Sequence, residues 1–261
     1  MMAALWSFRG FVLGSVKREF QAKYRNTMLG AAWTILSPLA MILVYTLIFS
    51  QVMRSKLPGT SSEYAYSIYL CAGVLPWGLF AEMLGRGQNM FLEQANLLKK
   101  VSFPRICLPI IMTLNALVNF GIIYGLFLAF MLITGQLPGW SLLALVPVLL
   151  LQVMLALGLS MVLGVLNVFF RDVGQFFTIF LQFWFWLTPV VYPDTIIPEG
   201  LRAWLAYNPM APIIQSYQHL LVAGQLPDWP RLLPATVLAV VLCLLGLRLF
   251  RKHAGEMVDE L

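Results

Sequence analysis

Residues 106–134 read ICLPIIMTLNALVNFGIIYGLFLAFMLIT and contain no Asp, Glu, Lys, Arg or His. A run of about 20 apolar residues is long enough to cross the hydrocarbon core of a bilayer as a helix. The whole chain has the same character, since 60% of its 261 residues are hydrophobic and only 11% are charged. Soluble domains contain about 45–50% apolar and about 25% charged residues. The sequence therefore excludes a soluble globular protein and predicts an all-α membrane protein.

Five more long apolar runs give six predicted transmembrane helices in all. The six are Ala31–Met53, Tyr64–Gly85, Ile106–Thr134, Ser141–Phe170, Val173–Tyr192 and Leu232–Leu247. Only the second run contains an ionisable side chain, Glu82, and Arg86 follows it by one helical turn. Because residues four apart on a helix are neighbours, these two charges are predicted to pair.

The basic residues predict the orientation of the chain in the membrane. Thirteen of the seventeen Lys and Arg residues lie at the termini and in the loops of one side of the predicted spans. Cytoplasmic loops are enriched in Lys and Arg, so both termini are predicted to be cytoplasmic. This asymmetry also explains the net charge of +6 without a nucleic-acid partner.

The first thirty residues are predicted to form an amphipathic helix in the cytoplasmic interface of the membrane. Apolar residues recur at helical spacing, namely Leu5, Phe8, Val12, Val16, Phe20 and Tyr24. A helix with an apolar stripe and a basic opposite face lies well on a membrane surface. A helix packed against a partner protein would show the same pattern. Arg9 interrupts the early apolar residues, so we do not expect a secretory signal.

Two short apolar pieces, Ile196–Tyr207 and Met210–Ala223, lie between the fifth and sixth predicted spans. Prolines and Gly224 bound them, and neither is long enough to cross a bilayer. Backbone at membrane depth needs internal hydrogen-bond partners. We therefore expect short re-entrant helices packed on the outer side of the bundle.

The chain lacks the residue patterns of an ATP-hydrolysing site or of an enzyme active site. No glycine-rich loop that would cradle nucleotide phosphates is present, and no Cys, His, Asp and Glu residues have metal-ligand spacing. Asn115, Asn119 and Gln182 are isolated in sequence and are predicted to make interhelical hydrogen bonds. If the protein transports a substrate, its energy is therefore expected to come from another chain.

The predicted cytoplasmic loop between the second and third spans contains a candidate contact site for a partner protein. Its helix-compatible part places Leu97 and Leu98 beside Lys99 and Lys100, and Phe103-Pro104 ends it. A short helix of this kind fits into a groove on a partner protein. A basic loop held by lipid headgroups is an equally good interpretation of these residues.

The fifth predicted span is dense in aromatic residues, with eight in the nineteen positions from Gly174 to Tyr192. Phe176, Phe180, Phe183 and Trp184 run along one helical face, whereas lipid-facing aromatic residues usually gather at the two membrane interfaces. An aromatic stripe offers a stacking surface for the C–H faces of sugar rings. Tight packing between helices is the alternative interpretation.

Small residues in two other spans predict close contacts between helices. They are Gly121 and Gly125 in the third span, and Ala156, Ser160 and Gly164 in the fourth.

Several short stretches together resemble a known family. They are YRNTMLGAAW at 24–33, LSPL at 36–39, NLLKKVSFPR at 96–105, FRDV at 170–173, LTP at 187–189, YP at 192–193 and NP at 208–209. In this order they resemble the membrane subunits of type-2 ABC exporters, specifically the permeases that export O-antigen, capsule or wall teichoic acid. The resemblance covers nearly the whole chain. The LTP and NP stretches favour the O-antigen and teichoic-acid branch.

The resemblance implies a homodimer of six-span subunits joined to two copies of a cytoplasmic ATPase. ATP and Mg would be used by that ATPase, while this chain binds no cofactor. The transported substrate would be a lipid-linked polysaccharide that crosses the bacterial inner membrane. The single transmembrane domain would span 1–261, with an interface helix in 1–30, five spans in 31–192, re-entrant helices in 193–231, the sixth span in 232–250 and a cytoplasmic tail in 251–261.

The resemblance also implies which residues act. The expected ATPase-coupling residues are Leu97, Leu98, Lys99, Lys100, Phe103 and Arg105. The expected residues of the glycan channel are Phe176, Phe180, Phe183 and Trp184, with Tyr66 and Tyr69 in addition. No catalytic or metal-binding residue is expected. A drug or small-lipid exporter of the same architecture, a lipid-modifying enzyme and a stand-alone channel are the alternatives.

Overall fold

The structure is a computed structural model that describes residues 8–23, 30–48, 64–95, 99, 105–193, 200 and 205–260. Most of these residues form α-helices, which short 3₁₀ turns and non-helical segments join, with no strand among them. The helices are α1 (Arg9–Lys23), α2 (Trp33–Thr46), α3 (Ala65–Glu93), α4 (Cys107–Ile133), α5 (Leu145–Phe169), α6 (Asp172–Trp186), α7 (Met210–Ala223), α8 (Trp229–His253) and α9 (Glu256–Glu260). The prediction of an all-α membrane protein is confirmed.

Among the described residues, four helical stretches are long and apolar enough to cross a membrane, namely α3, α4, Gly139–Phe169 and α8. They correspond to the second, third, fourth and sixth predicted spans. Residues 31–48 of the first predicted span are described; α2 within them has 14 residues, and α6 has 15. At 1.5 Å per residue, a helix of this length covers roughly 22 Å of a hydrocarbon core that is about 30 Å thick. The total of six spans therefore stays a prediction.

Close helix contacts place α5 in the centre of the bundle. A Cβ atom added to Gly158 of α5 would lie 2.7 Å from the backbone nitrogen of Cys243 in α8. On the other side of α5, a Cβ atom on Gly87 of α3 would collide with the Ser160 side chain. The predicted contacts of the small residues in the fourth span are confirmed. Gly121 and Gly125 of α4, in contrast, face open space within the described part of the chain.

The fifth predicted span is shorter than expected, because α6 ends at Trp186 and not at Tyr192. Pro189 explains this end, since a proline has no N–H and its ring clashes with a helical carbonyl group four residues earlier. The segment that follows lies directly on α3. A Cβ atom on Gly73 would collide with the carbonyl oxygen of Val190, so glycine is required for this approach.

The carbonyl groups of this non-helical segment, residues 187–192, are bonded by side chains of other helices. The Tyr66 and Tyr69 hydroxyls donate to the carbonyl oxygens of Val191 and Tyr192 at 3.2 and 2.9 Å. The Gln218 amide of α7 donates to the carbonyl oxygens of Pro189 and Val190 at 3.2 and 3.1 Å. Non-helical backbone is tolerated inside a membrane protein when other groups satisfy it in this way.

Helix α7 has the predicted bounds, Met210 to Ala223, and Gly224 ends it with a φ of 65°. Its residues Ile213, Ile214 and Tyr217 are buried in the core. The other outer piece, Ile196–Tyr207, lies mostly outside the described residues. Re-entry of either piece into the bilayer stays a prediction.

The N-terminal helix α1 packs on its own chain. Val12 is buried against Cys107 and Ile111 of α4, with Phe8 and Val16 beside it. Three residues of the predicted apolar stripe therefore face the bundle. Leu5 and Tyr24 of that stripe lie outside the described residues, and a location in the membrane interface stays a prediction.

Candidate substrate path and coupling surface

The aromatic stripe of α6 is a continuous ladder of rings. The Phe176 and Phe180 rings are stacked with centroids 6.3 Å apart and an interplanar angle of 14°. The Phe180 and Trp184 rings follow at 5.3 Å with a tilt of 49°. These residues lie four apart, so successive turns of α6 bring each ring above the next. The predicted alignment of Phe176, Phe180 and Trp184 along one face is confirmed.

Two rings of this ladder, Phe176 and Phe180, are exposed. Phe176 is 68% exposed, Phe180 is 37% exposed and the neighbouring Phe183 is 65% exposed. Only Gly174 and Phe177 of α6 are buried. Packing among the residues that the structure describes therefore does not account for most of the aromatic residues on α6.

Trp184 differs from the other members of the stripe because it packs against α3. Its ring lies edge-on to Phe80, with centroids 5.3 Å apart, and edge-on to Trp77 at 6.3 Å. Both of these partners are buried. The indole N–H of Trp184 donates to the side-chain oxygen of Asn208 at 2.9 Å. Trp184 thus anchors one end of the ladder to the bundle core.

Tyr66 and Tyr69 have a visible structural task. Their rings stack with centroids 6.2 Å apart, and both hydroxyls bond the non-helical segment after α6. Tyr69 is buried and Tyr66 is half-buried. Contact of these two side chains with a glycan stays a prediction.

A charged cluster joins α1, α3 and α4. The Arg86 guanidinium forms ion pairs with Glu82, at 3.6 Å, and with Glu19 of α1. The Asn119 amide donates to Glu82 at 2.8 Å, and the Asn115 amide donates to Glu19. The predicted Glu82–Arg86 pair and the predicted interhelical bonds of the two asparagines are confirmed. The cluster fastens the N-terminal helix to two helices of the bundle.

An open cavity of about 390 Å³ adjoins this cluster beneath α1. Arg18, Glu19, Arg86 and Glu93 contribute its charged lining, and Leu108 and Ile111 are among its apolar residues. The cavity lies at the end of α3 that leads into the predicted coupling loop. Within the described ranges, no group of three or more His, Cys, Asp or Glu residues could hold a metal ion.

Comparison with known proteins gives the chain a family. The profile of the family described as ABC-2 type transporter matches residues 12–222. The chain belongs to the ABC-2 type transporter family. The O-antigen export system permease protein RfbA of Myxococcus xanthus is 34% identical to it over 263 residues, which cover 100% of this chain and 99% of that protein.

Two further relatives of this ABC-2 type transporter have related names. An O-antigen export system permease protein RfbA of Klebsiella pneumoniae is 29% identical over 236 residues, 90% of this chain and 88% of that protein. The polysialic acid transport protein KpsM of Escherichia coli is 21% identical over 244 residues, 93% of each chain. The resemblance to polysaccharide-export permeases is confirmed. A drug exporter is not favoured.

The structure describes only part of the coupling loop of this ABC-2 type transporter. Leu97, Leu98, Lys100 and Phe103 lie outside the described residues. Lys99 is exposed, and Arg105 lies in the turn before α4. Their role in coupling stays a prediction.

Two features of the ABC-2 type transporter were not predicted from its sequence. The sequence does not indicate the role of Glu19, because its partners Arg86 and Asn115 are far away along the chain. In the sequence Asn208 is visible only as part of an NP stretch, although its side chain bonds Trp184 of α6. A lone amide beside a proline, directly before an apolar helix, is the signal that points to it.

Proposed function

We propose that this protein is the permease subunit that moves a lipid-linked polysaccharide, O-antigen in the first instance, across the bacterial inner membrane. A separate ABC ATPase supplies the energy by hydrolysing ATP with Mg. Two copies of this chain and two copies of the ATPase form the working complex. Both termini and the loop after α3 lie on the cytoplasmic side.

The exposed aromatic ladder of α6 is the observation that carries this proposal. A polysaccharide must slide through its path, so its contacts must not depend on one fixed set of hydrogen bonds. The faces of Phe176 and Phe180 can pack on the C–H faces of successive sugar rings. Such ring contacts are favourable without requiring a unique register. In the proposed homodimer, the ladders of two subunits would line one channel.

The charged cluster supports the coupling part of the proposal. It ties α1 to α3 and α4 through Glu19, Arg86 and Asn115. The loop between α3 and α4 holds the proposed ATPase contacts, which are Leu97, Leu98, Lys99, Lys100, Phe103 and Arg105. If the ATPase moves this loop, the movement would therefore be transmitted to α1, α3 and α4 together.

The substrate path is tested by replacing exposed rings and leaving the anchored ring in place. Phe176→Ala with Phe180→Ala removes two stacking surfaces and leaves Trp184 packed on α3. We expect export in a strain that lacks its own permease to fall roughly tenfold, the factor of about two ring contacts. The amount of folded protein, measured by size-exclusion chromatography, should not change.

Leu233→Ala with Val237→Ala on α8 is the matched control, since these residues are also exposed and apolar. Normal export in this control, together with reduced export in the α6 variant, supports the path. Normal export in both would refute it.

The coupling surface is tested by Leu97→Asp with Leu98→Asp. Charges at a buried apolar contact are costly, so we expect the ATPase to separate from the permease during co-purification. Retained association together with normal export would refute the assignment of these residues.

A further inference from the structure

The Asn208 side chain lies where three segments meet. It stands directly before α7, near the last turn of α6 and the non-helical segment after it. The Trp184 indole N–H and the Met210 backbone N–H both donate to its Oδ1, at 2.9 and 3.0 Å. Its Nδ2 donates to the Thr188 hydroxyl at 2.9 Å and to the Leu187 carbonyl oxygen at 3.2 Å.

These four bonds use the full capacity of the amide. A side-chain amide has two acceptor positions on its oxygen and two N–H donors. An aspartate would keep both acceptor positions but lose both donors, and a leucine of similar size would lose all four bonds. The arrangement is therefore specific for an amide group at this distance from the backbone.

The bonds fix the orientation of one ring in particular. Asn208 holds the indole nitrogen of Trp184 on one side, and the buried Phe80 and Trp77 rings contact the indole edge-on. The Thr188 hydroxyl donates in turn to the Trp184 carbonyl oxygen at 2.8 Å. Both the side chain and the backbone of Trp184 are thereby tied to Asn208.

We propose that Asn208 is a positioning residue, which holds the Trp184 ring at the end of the aromatic ladder and joins that ring to the start of α7. A movement of α7 would then reorient the last ring that a passing glycan meets. Asn208 acts through Trp184 and does not itself need to contact the substrate. The effect on export rests on the proposed function, whereas the effect on the ring does not.

The ring is measured directly on full-length protein labelled with ¹⁵N-tryptophan in detergent, where Trp184→Phe assigns the Trp184 indole signal. In Asn208→Leu we expect solvent exchange of this indole N–H to become roughly fivefold to tenfold faster, the factor of one lost hydrogen bond. In Asn208→Asp, which keeps the acceptor, exchange should stay close to that of the unaltered protein. An unchanged exchange rate in Asn208→Leu would overturn the proposal.

A double substitution separates positioning from general support of the fold. If Asn208 acts through Trp184, then Asn208→Leu with Trp184→Phe should export no more slowly than the slower of the two single variants. A loss equal to the product of the two single losses would overturn the proposal. If Asn208→Leu fails to fold, Asn208→Ala, which also removes all four bonds, replaces it in both measurements with the same supporting and overturning results.

The two readouts distinguish the proposals from each other. Faster indole exchange in Asn208→Leu, together with normal export in Trp184→Phe, would support the positioning role and show that export does not depend on the Trp184 indole.

Discussion

The exposed apolar faces of α6 and α8 differ in the type of side chain and are similar in exposed fraction. Phe176 of α6 is 68% exposed, and Leu233 and Leu244 of α8 are 61% and 63% exposed. The face of α8 is aliphatic, with Val237 and Val241 between its leucines, whereas the face of α6 is built of rings. Lipid tails are matched by any apolar side chain. Exposure alone therefore does not distinguish a lipid contact from a substrate contact, and the proposed substrate path rests on the kind of side chain instead.

The two helices are also held differently. Backbone contact with α5, at Gly158 and Gly246, fixes α8. Helix α6 makes polar contacts in its first turn and near its middle. Asn167 accepts from the backbone N–H of Gly174 at 2.9 Å, and Gln88 donates to Thr178 at 2.9 Å. Packing thus fixes the aliphatic helix along its length, while α6 keeps most of its surface for other contacts.

The largest effect is expected when the face of α6 is made aliphatic like that of α8. Phe176→Leu, Phe180→Leu and Phe183→Leu together keep the surface apolar and remove three rings. Export should fall by roughly tenfold to a hundredfold, since each ring contact contributes about 0.5–1.5 kcal/mol. Export of polysaccharide to the cell surface, normalised to the folded permease, is the measurement. Full export by the leucine variant would mean that α6, like α8, only faces lipid.

A smaller effect, on the Tm, is expected when the packing between α5 and α8 is disturbed. Gly158→Ala would place a Cβ atom 2.7 Å from the backbone of Cys243, and overpacking of this kind costs about 1–3 kcal/mol. We expect a lower Tm in detergent, measured by differential scanning fluorimetry. Gly121→Ala on α4 is the matched control, because a Cβ atom there meets open space. Equal Tm values for both variants would contradict the close approach of α5 and α8.

The next smaller effect is expected when the hydrogen bond between Gln88 and Thr178 of α6 is removed. Thr178→Val removes the hydroxyl that accepts from Gln88, which should cost about 1 kcal/mol and lower the Tm by roughly 2–4 °C. Thr236→Val on α8 removes only a bond to the carbonyl oxygen of Leu232 on its own helix. The control should therefore shift the Tm less. A larger shift in the control would show that α6 does not depend on this contact.

The smallest effect is expected when rings are added to the aliphatic face. Leu233→Phe with Leu244→Phe keeps α8 apolar and exposed, so folded yield and export should equal those of the unaltered protein. A reduction in export would show that α8 also borders the substrate path.

Much of this fold could be predicted from apolar runs and helix-ending residues. The uncharged run from Ile106 to Thr134 matches α4 within one residue at each end, and Pro209 and Gly224 fixed the bounds of α7. These signals are local, since a proline or a glycine ends a helix through its own backbone.

Pro189 is a local signal for the end of α6, but the path of the segment that follows it was not predictable in the same way. The segment after Trp186 contains apolar residues that would suit a span, and its carbonyl groups are satisfied by Tyr69 and Gln218 from distant parts of the chain. The ion pair between Glu19 and Arg86 likewise joins residues that are distant along the chain. A single sequence shows which residues are polar and does not show which of them meet.

The central claim is that the ring face of α6 contacts the glycan and the aliphatic face of α8 does not. It is tested most directly by a photo-crosslinking amino acid placed at Phe180 or, separately, at Leu244, in the permease assembled with its ATPase and supplied with lipid-linked polysaccharide. We expect ATP-dependent crosslinks to the glycan from position 180 and crosslinks to lipid alone from position 244. Glycan crosslinks of equal yield at both positions, or at position 244 only, would contradict this account.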